Sequence, residues 1–408
     1  MIRTIVRQPL GWGAILGAAL VAALIAFSYL GGFLDPTGNM RNVPLAVVND
    51  DTGVTVNGQP LNLGAQVVQS LTAPSPRLGD DVMWRVLSSR EAALERLDSN
   101  RDYATLIVPA DYTARVLALS NPGVAPTTPA TIEILTNPAA GSYAGPEAEL
   151  IATRAIASIS SATSEQILTT LVANGSAIDP TSVSVLATPV QPAVTVAEPV
   201  GAQSGRGLAP FYLAVVMTLA GVIGANIIHI SVDVLTGKTS LDLLGRELSA
   251  RPAPLTRFGA WRIKLALTVM MAVLAGTLVT LSTVGILGMD ATNPYGLAAF
   301  TVLGIAAIAL VTLVFLTAFG IVGSLLAILV TTIFGVPSAG GVYPREMMPT
   351  FFRFLGEWLP LRYMTDANRA LMFFDGQMSA GLATALWVIS GYAVGAFLVS
   401  GLIATAID

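Results

Sequence analysis

The sequence has no cysteine, a single histidine and few charged residues. Without cysteine, the chain forms no disulfide and offers no thiolate nucleophile and no sulfur ligand for zinc. One histidine excludes a histidine-rich metal centre. Charged residues are 11% of the 408 residues, against about 25% in soluble domains, which excludes an ordinary solvated surface over the whole chain. The net charge of −4 argues against nucleic acid as a partner.

The chain is rich instead in long apolar runs, and hydrophobic residues make up 53% of it. A helix of about 20 apolar residues crosses the hydrocarbon core of a membrane, and a charge inside that core is costly. The charge-free runs therefore predict a polytopic α-helical membrane protein with six transmembrane helices, at residues 8–34, 208–232, 265–289, 296–317, 320–336 and 380–405.

Two of these runs need interpretation. The stretch from Ala291 to Pro344 has no charge and is too long for one crossing, so we interpret it as two helices joined by a turn near Gly320 and Gly323. The first run follows two arginines, as a cleaved signal peptide does. Its length, and the lack of a small-residue cleavage site before Asp35, favour an uncleaved anchor.

Basic residues in short loops predict the orientation, because they stay in the cytoplasm. The loop 233–264 is the densest basic segment, with Lys238, Arg246, Arg251, Arg257, Arg262 and Lys264. Arg3 and Arg7 place the N-terminus on the same side, and six crossings return the C-terminus there. We therefore expect a multi-pass plasma-membrane protein whose residues 35–206 form an extracytoplasmic domain. With sixteen acidic residues and nine arginines, that domain carries a balance of −7.

Residues 35–206 alternate between strand-like and helix-like segments. Short apolar runs predict strands at 44–48, 83–87, 103–108 and 131–135, and helical spacing predicts helices at 61–71, 88–97, 111–119 and 145–174. Residues 180–203 are expected to form a return strand or stalk. This order predicts a small α/β domain with a mixed sheet. The low apolar bulk of 145–174 indicates a helix packed along another helix or chain.

The N-terminal half resembles the YhgE/Pip family of phage infection proteins. The similar segments are PLAVVNDDTG at 44–53, NGQPLNLG at 57–64, WRV at 84–86, EAA at 91–93 and YATLIVPADY at 103–112. The layout of one span, an outer domain and five further spans is also that of the family. Many relatives carry a long coiled-coil insert in the outer domain, whereas this chain has only the helix at 145–174.

The C-terminal half is similar to membrane subunits of type-2 ABC exporters, through PSAGGVYP at 337–344, MPTFF at 348–352 and WLPLRY at 358–363. Together the two resemblances imply an exporter-type protein of the cell envelope that handles an amphipathic, lipid-like molecule. They also imply membrane lipid, a second copy or another membrane transporter as partners. A relative that acts as a phage adsorption factor or as a secretion accessory implies the alternative, a non-transporting scaffold or surface receptor.

The cytoplasmic loop contains one apolar pattern and one motif-like segment. Leu241, Leu244 and Leu248 recur at helical spacing, which predicts either a coupling helix that docks on an ATPase or a helix lying on the inner membrane surface. The segment GKTS at 237–240 resembles the end of a phosphate-binding loop. However, such a loop needs a glycine five residues before Gly237, and that position is occupied by Val232. We therefore expect no nucleotide binding here, and any ATPase has to be a separate subunit.

The segment 337–375 is rich in glycine, proline and aromatic residues, and we expect it to lie at the outer leaflet of the plasma membrane. It is interpreted as a re-entrant or interfacial element, acting either as a gate beside a hydrophobic path or as an anchor in the membrane interface. The residues assigned to it are Gly340, Gly341, Pro349, Phe351, Phe352, Trp358 and Pro360.

The remaining candidates are isolated polar or small residues. His229 could relay protons, but no acid or lysine lies in a predicted span, so a lone histidine bonded to backbone or headgroups is favoured. Gly391 and Gly395 permit close helix contact, within the fold or in a homodimer. Residues 49–51 could bind a cation, although a polar turn is favoured. We expect no enzyme, cofactor or metal site.

Overall fold

The computed structural model describes residues 9–73, 81–119, 128–174, 182–243, 246–248 and 255–406. The chain divides into two compact units. One comprises residues Met40–Gly201, and the other comprises Met1–Asn39 together with Ala202–Asp408. The sequence placed the corresponding domain at 35–206, between helix one and helix two.

The unit Met40–Gly201 is built on a mixed sheet, as predicted, and the sheet has five strands. The strands are β1 (Val43–Asn49), β4 (Val82–Leu87), β5 (Ala104–Val108), β6 (Ala130–Thr136) and β7 (Val190–Val196). Their order is β4-β1-β5-β6-β7; β5 and β6 are antiparallel, and the other neighbours are parallel. Strand β5 is buried throughout, which is why it reads as an unbroken apolar run.

Helices cover this sheet. They are α2 (Leu63–Thr72), α3 (Arg90–Asp98), α4 (Tyr112–Leu119), α5 (Ala144–Ala173) and the short α6 (Val183–Ala187). The capping residue of α3 is Ser89, which accepts a hydrogen bond from the Ala92 amide at 3.3 Å. A small hairpin of β2 (Val54–Val56) and β3 (Gln59–Leu61) was not predicted, although its turn is an Asn-Gly pair in which Asn57 and Gly58 both have positive φ.

The carboxylate of Asp51 ties the loop after β1 to the starts of two helices. It accepts hydrogen bonds from the backbone amides of Gly53 (3.2 Å), Gly64 (3.0 Å) and Thr113 (3.1 Å), and from the Thr113 hydroxyl. Burial alone raises the pKa of Asp51, but these donors outweigh it and lower the pKa from its ordinary value of 3.8. The motif at residues 49–51 is therefore a bonded turn, and the described residues contain no metal-ligand cluster.

The other unit holds the apolar helices. They are α1 (Pro9–Gly31), α7 (Ala209–Leu235), α8 (Arg257–Thr280), α9 (Pro294–Phe319), α10 (Ile321–Ile328) and α13 (Leu382–Ala406), with two short helices, α11 (Thr350–Trp358) and α12 (Pro360–Phe373), before the last. Helix α8 continues as a π-helical turn, Leu281–Ile286, and α10 continues as another, Leu329–Ile333.

Four of these helices are long and apolar enough to cross a membrane: α7, α8 with its π-helical turn, α9 and α13. The predicted span 320–336 is shorter in the structure. Its eight α-helical and five π-helical residues extend about 20 Å, less than the roughly 30 Å of a hydrocarbon core. The long apolar run is divided at Gly320, whose φ of 60° allows the reversal between α9 and α10.

Helix α9 is the most buried of the four and packs against α7, α8 and α13. Small residues allow this close approach. A Cβ added at Gly221 of α7 would overlap Ile308, and one added at Gly276 of α8 would overlap Val302. Such contacts supply packing energy where lipid leaves little hydrophobic driving force between helices.

We expect Asp51→Asn to destabilise the unit Met40–Gly201 by about 2–3 kcal/mol, because an amide cannot accept from all four donors. The variant should lose amide protection from hydrogen exchange in β1 and α4 of the full-length chain. Because the folded pKa of Asp51 is lowered, its stabilising effect is present above pH ~4 and disappears as pH falls through the lowered value. Wild type and variant should therefore converge in acid.

Asp111→Asn is the matched control, since its carboxylate pairs with Arg115 and both side chains are about half exposed. Exchange in this variant should match the wild type within error. Equal protection in wild type and Asp51→Asn at neutral pH would contradict the role given to this carboxylate.

Candidate functional site

Four helix ends meet around a cavity of about 620 Å³ in the unit that holds the apolar helices, Met1–Asn39 with Ala202–Asp408, which we call the membrane unit. Helices α7, α9 and α13 end there, and α8 begins there, as expected for neighbours that cross in alternating directions. The cavity is lined by His229, Asp233, Lys238, Leu255, Arg257, Ala260, Trp261, Lys264, Leu316, Thr317, Ala318, Gly320 and Ala404.

Three ionisable side chains form a closed triad in this cavity. The Lys264 Nζ lies 2.7 Å from Asp233 Oδ1 and 3.0 Å from His229 Nδ1, while His229 Nε2 lies 3.2 Å from Asp233 Oδ2. The Lys264 side chain is only 8% exposed and that of Asp233 is 17% exposed. A charge at this depth is stable when it is paired and hydrogen-bonded.

The geometry of the triad selects one protonation pattern. The ammonium of Lys264 has only donors, so the Nδ1 of His229 accepts from it. The proton of His229 is then on Nε2, which faces the carboxylate of Asp233 at 3.2 Å. The imidazole is thus neutral, the carboxylate and ammonium compensate each other, and the triad carries no net charge.

Local sequence positions each member. His229 and Asp233 are four residues apart and share one face of α7. Helix α7 ends at Leu235, and the chain turns away at Gly237, which has a φ of 68°. The Gly237 amide donates to Val234 O (3.1 Å) and the Lys238 amide donates to Asp233 O (2.8 Å). The segment GKTS at 237–240 is therefore a helix termination, which accounts for its glycine without a phosphate ligand.

The rest of the cavity is amphipathic. Lys238 and Arg257 are exposed at its edge, whereas Trp261, Leu316 and Ala404 are buried in its wall. The Trp261 indole donates to Ser400 Oγ at 3.1 Å, which holds α8 against α13, and it stacks on Phe258 of its own helix at 5.3 Å. Basic groups beside an apolar wall suit a molecule with an anionic end and a hydrocarbon end.

The prediction of a lone His229 was wrong. Helix α7 continues to Leu235 and α8 begins at Arg257, so Asp233 and Lys264 lie inside the helices. The predicted spans stopped at the first charge, but charges that neutralise each other need not end a helix. The i, i+4 spacing of His229 and Asp233, with a lysine early in the next helix, was the available signal.

The predicted coupling helix is also corrected. Residues Leu241–Leu243 and Arg246–Leu248 form a two-stranded antiparallel ribbon, in which Leu241 pairs with Leu248; Leu244 lies outside the described residues. An isolated helix this short is marginal in water, and pairing two strands satisfies the backbone instead. The i, i+2 spacing of Leu241 and Leu243 fits that alternative. Docking on an ATPase stays a prediction.

The candidate residues of the segment 337–375 are divided between an exposed helix and a buried one. On α11, Phe351 and Trp358 are exposed, 48% and 65%, whereas Phe352 is buried against Phe27 of α1. Pro349 precedes α11 and Pro360 begins α12, where its missing amide costs nothing.

Nearly all of α12 is buried in the bundle, including Asn368, whose amide donates to Pro210 O at 3.0 Å. Gly341 lies so close to Phe211 that a Cβ would overlap the ring, and Gly340 has φ 66°. The segment is thus an exposed aromatic face followed by a helix packed in the bundle. Its interfacial or re-entrant position in a membrane, and gating by it, stay predictions.

An ion-pair network joins these short helices. Glu357 accepts from Arg345 and forms an ion pair with Arg362 at 2.7 Å, and Asp366 accepts from Arg369 at 3.2 Å. Because each arginine of this network has a carboxylate within reach, its charges are accounted for by the fold.

Gly391 and Gly395 do not contact another helix in the described chain. A Cβ added at either position meets nothing within 4 Å, and both face an apolar cavity of about 410 Å³ between α9 and α13. The expectation that they close a contact within the fold is therefore not met. Their use between two copies stays a prediction.

These features define a class: a membrane protein with four long apolar helices, a broken-helix segment and an α/β unit inserted after the first apolar helix. Residues 16–395 match the protein family described as "Protein of unknown function (DUF3533)". Since that match covers most of the chain, the chain belongs to this family. No curated protein matches the chain, and no solved structure matches it.

We expect Lys264→Met to destabilise the membrane unit by about 3–5 kcal/mol, because it leaves the Asp233 carboxylate buried without its cation. The double variant Asp233→Asn/Lys264→Met should recover most of this loss, because it removes both charges. The thermal midpoint of the full-length chain in mild detergent measures both effects. Arg262→Met, at an exposed arginine of α8 that does not line the cavity, is the control and should leave the midpoint unchanged; additive losses in the double variant would rule out a coupled pair.

Proposed function

We propose that the chain is an exporter-type permease, or a permease-like subunit, of the plasma membrane that handles an amphipathic, lipid-like substrate. The observation that carries the proposal is the cavity at the meeting of four helix ends. Lys238 and Arg257 offer charge to an anionic headgroup, and the wall around Trp261 and Leu316 offers apolar contact to a chain.

In the proposed orientation, this cavity opens on the cytoplasmic side of the membrane and the unit Met40–Gly201 is extracytoplasmic. Its support is the basic loop 233–264, which joins α7 to α8 beside the cavity. We place six crossings in the membrane, with α1 and α10 as the fifth and sixth. Helix α10 is too short to cross alone, so a count of six requires that the residues after Ile333, up to the packed helix α12, complete its crossing.

Irregular helices support a transport role. Helices α8 and α10 both end in π-helical turns, which are rare and concentrate at functional sites. After α10, the chain continues as two short helices, α11 and α12, before α13 begins. Broken helices at membrane depth occur where they are buried in protein or line a cavity. The resemblances to the YhgE/Pip family and to type-2 exporter subunits agree with this arrangement. In this proposal a separate ATPase subunit supplies the energy, and two copies form the path.

A second candidate function is that of a non-transporting accessory protein or surface receptor. The observation that favours it is the edge strand β7, where Val194 and Val196 are 48% and 52% exposed. An exposed edge strand offers unpaired backbone groups to another chain, although Pro192 interrupts this one. Photo-crosslinking from position 194 in cells should capture a single envelope partner if this function is correct.

The permease proposal is tested by the lipid that the full-length chain retains. Purified in mild detergent, the wild type should retain an anionic amphiphile detectable by native mass spectrometry. Lys238→Gln/Arg257→Gln should weaken its retention roughly thirty-fold, since each basic side chain near a lipid headgroup contributes about 1 kcal/mol. Ala318→Trp, at the cavity lining, should also reduce retention.

Val322→Trp is the matched control for Ala318→Trp, because Val322 is exposed and does not line the cavity. It should retain lipid as the wild type does. A wild-type chain without bound amphiphile, or equal retention in all variants, would remove the lipid-handling proposal.

A further inference from the structure

The α/β unit contains a second cavity, of about 400 Å³, that the proposed function does not use. Helices α2, α4 and α5 surround it. Its lining residues are Leu61, Leu63, Gln66, Val67, Ser70, Tyr112, Val116, Leu117, Ile159, Ala162, Thr163, Gln166, Ile167 and Thr170. The volume falls in the range of small-molecule sites in proteins.

The floor of this cavity is apolar, and its hydroxyl groups are already bonded. Val67, Val116 and Ile167 are at most 5% exposed. The hydroxyls of Ser70, Thr163 and Thr170 donate to carbonyls of their own helices at 2.8 Å. A ligand therefore meets few polar groups at the floor.

The Tyr112 phenol is likewise engaged, because it is hydrogen-bonded with Thr163, and burial raises its pKa to about 12, so it stays neutral. The amides of Gln66 and Gln166 stand at the exposed rim. A ligand that fits this distribution is apolar along its length and polar only at the end that reaches the rim.

None of the fourteen lining residues that the structure describes is charged. The surrounding domain is acidic, with sixteen acidic residues against nine arginines in residues 35–206. An anionic ligand would meet no cation among these described residues, and it would meet a repelling field around the cavity. A cationic ligand would find no carboxylate in the lining.

We propose that this cavity binds one hydrocarbon chain of a neutral lipid or fatty alcohol, with its polar end at Gln66 and Gln166. The small residues of α5 create the space: Ala162 and Thr163 stand where a larger side chain would fill it. This accounts for the low apolar bulk of α5, which the sequence attributed to packing along another helix. The inference does not rest on the proposed function, because it concerns a different unit of the chain.

Thiol protection tests the proposal in the full-length chain, held in phosphatidylcholine nanodiscs. The chain has no natural cysteine, so Ala162→Cys introduces a single thiol at the cavity lining. Ala157→Cys is the matched control, since Ala157 is an exposed alanine of the same helix outside the lining. The rate of reaction with a charged maleimide is measured against the free concentration of octanol, decanol, dodecanol or dodecanoate.

We expect the alcohols to protect Ala162→Cys and not Ala157→Cys. The concentration for half-protection should fall about four-fold for each added methylene until the cavity is full. Dodecanoate should protect less than dodecanol. No protection, equal protection at both positions, or stronger protection by dodecanoate would overturn the proposal. Protection without alcohol that rises with the number of chains per disc would assign the cavity to a second copy, and would overturn it as well.

Discussion

Hydrocarbon neither hydrogen-bonds to a backbone nor solvates a charge, and this constraint governs the membrane unit. It explains why the unit consists of helices and why His229, Asp233 and Lys264, on α7 and α8, lie together as a triad. Asp233 and Lys264 lie on different helices, so their pairing also holds the end of α7 against the beginning of α8. The cavity at that end keeps its basic edge and apolar wall because this pairing and the Trp261–Ser400 contact hold three helices together.

In the α/β unit, a buried carboxylate is stabilised by backbone amides instead of by a cation. Asp51 collects donors from its own loop and from the starts of α2 and α4, which fixes both helices against β1 and β5. Those two helices then form one side of the uncharged cavity, and α5 forms the other. The two units thus carry cavities of opposite chemical character, one basic and amphipathic, the other neutral and apolar.

Several elements were predictable because their signals are local. The buried strand β5, the helix start near Ser89 and the reversal at Gly320 depend on neighbouring residues, and the structure places them within a few residues of the prediction. The triad was not predictable in this way, because Lys264 is thirty-one positions beyond Asp233 and a charge in isolation reads as the end of a span. The leucine spacing at 241–248 is compatible with a helix and with a strand. The helix was predicted, because the spacing alone does not show that Leu241–Leu243 pairs with Arg246–Leu248.

The sequence by itself determined that the chain enters a membrane, that an acidic α/β segment interrupts the apolar helices, and where most strands and helices lie. These properties follow from composition and from periodicity, which are local. Only the tertiary structure decided that His229 has two ionisable partners, that Gly391 and Gly395 face open space, and that α5 borders a cavity. The physical reason is that burial and pairing depend on residues distant in the chain, whose approach is set by the packing of whole helices.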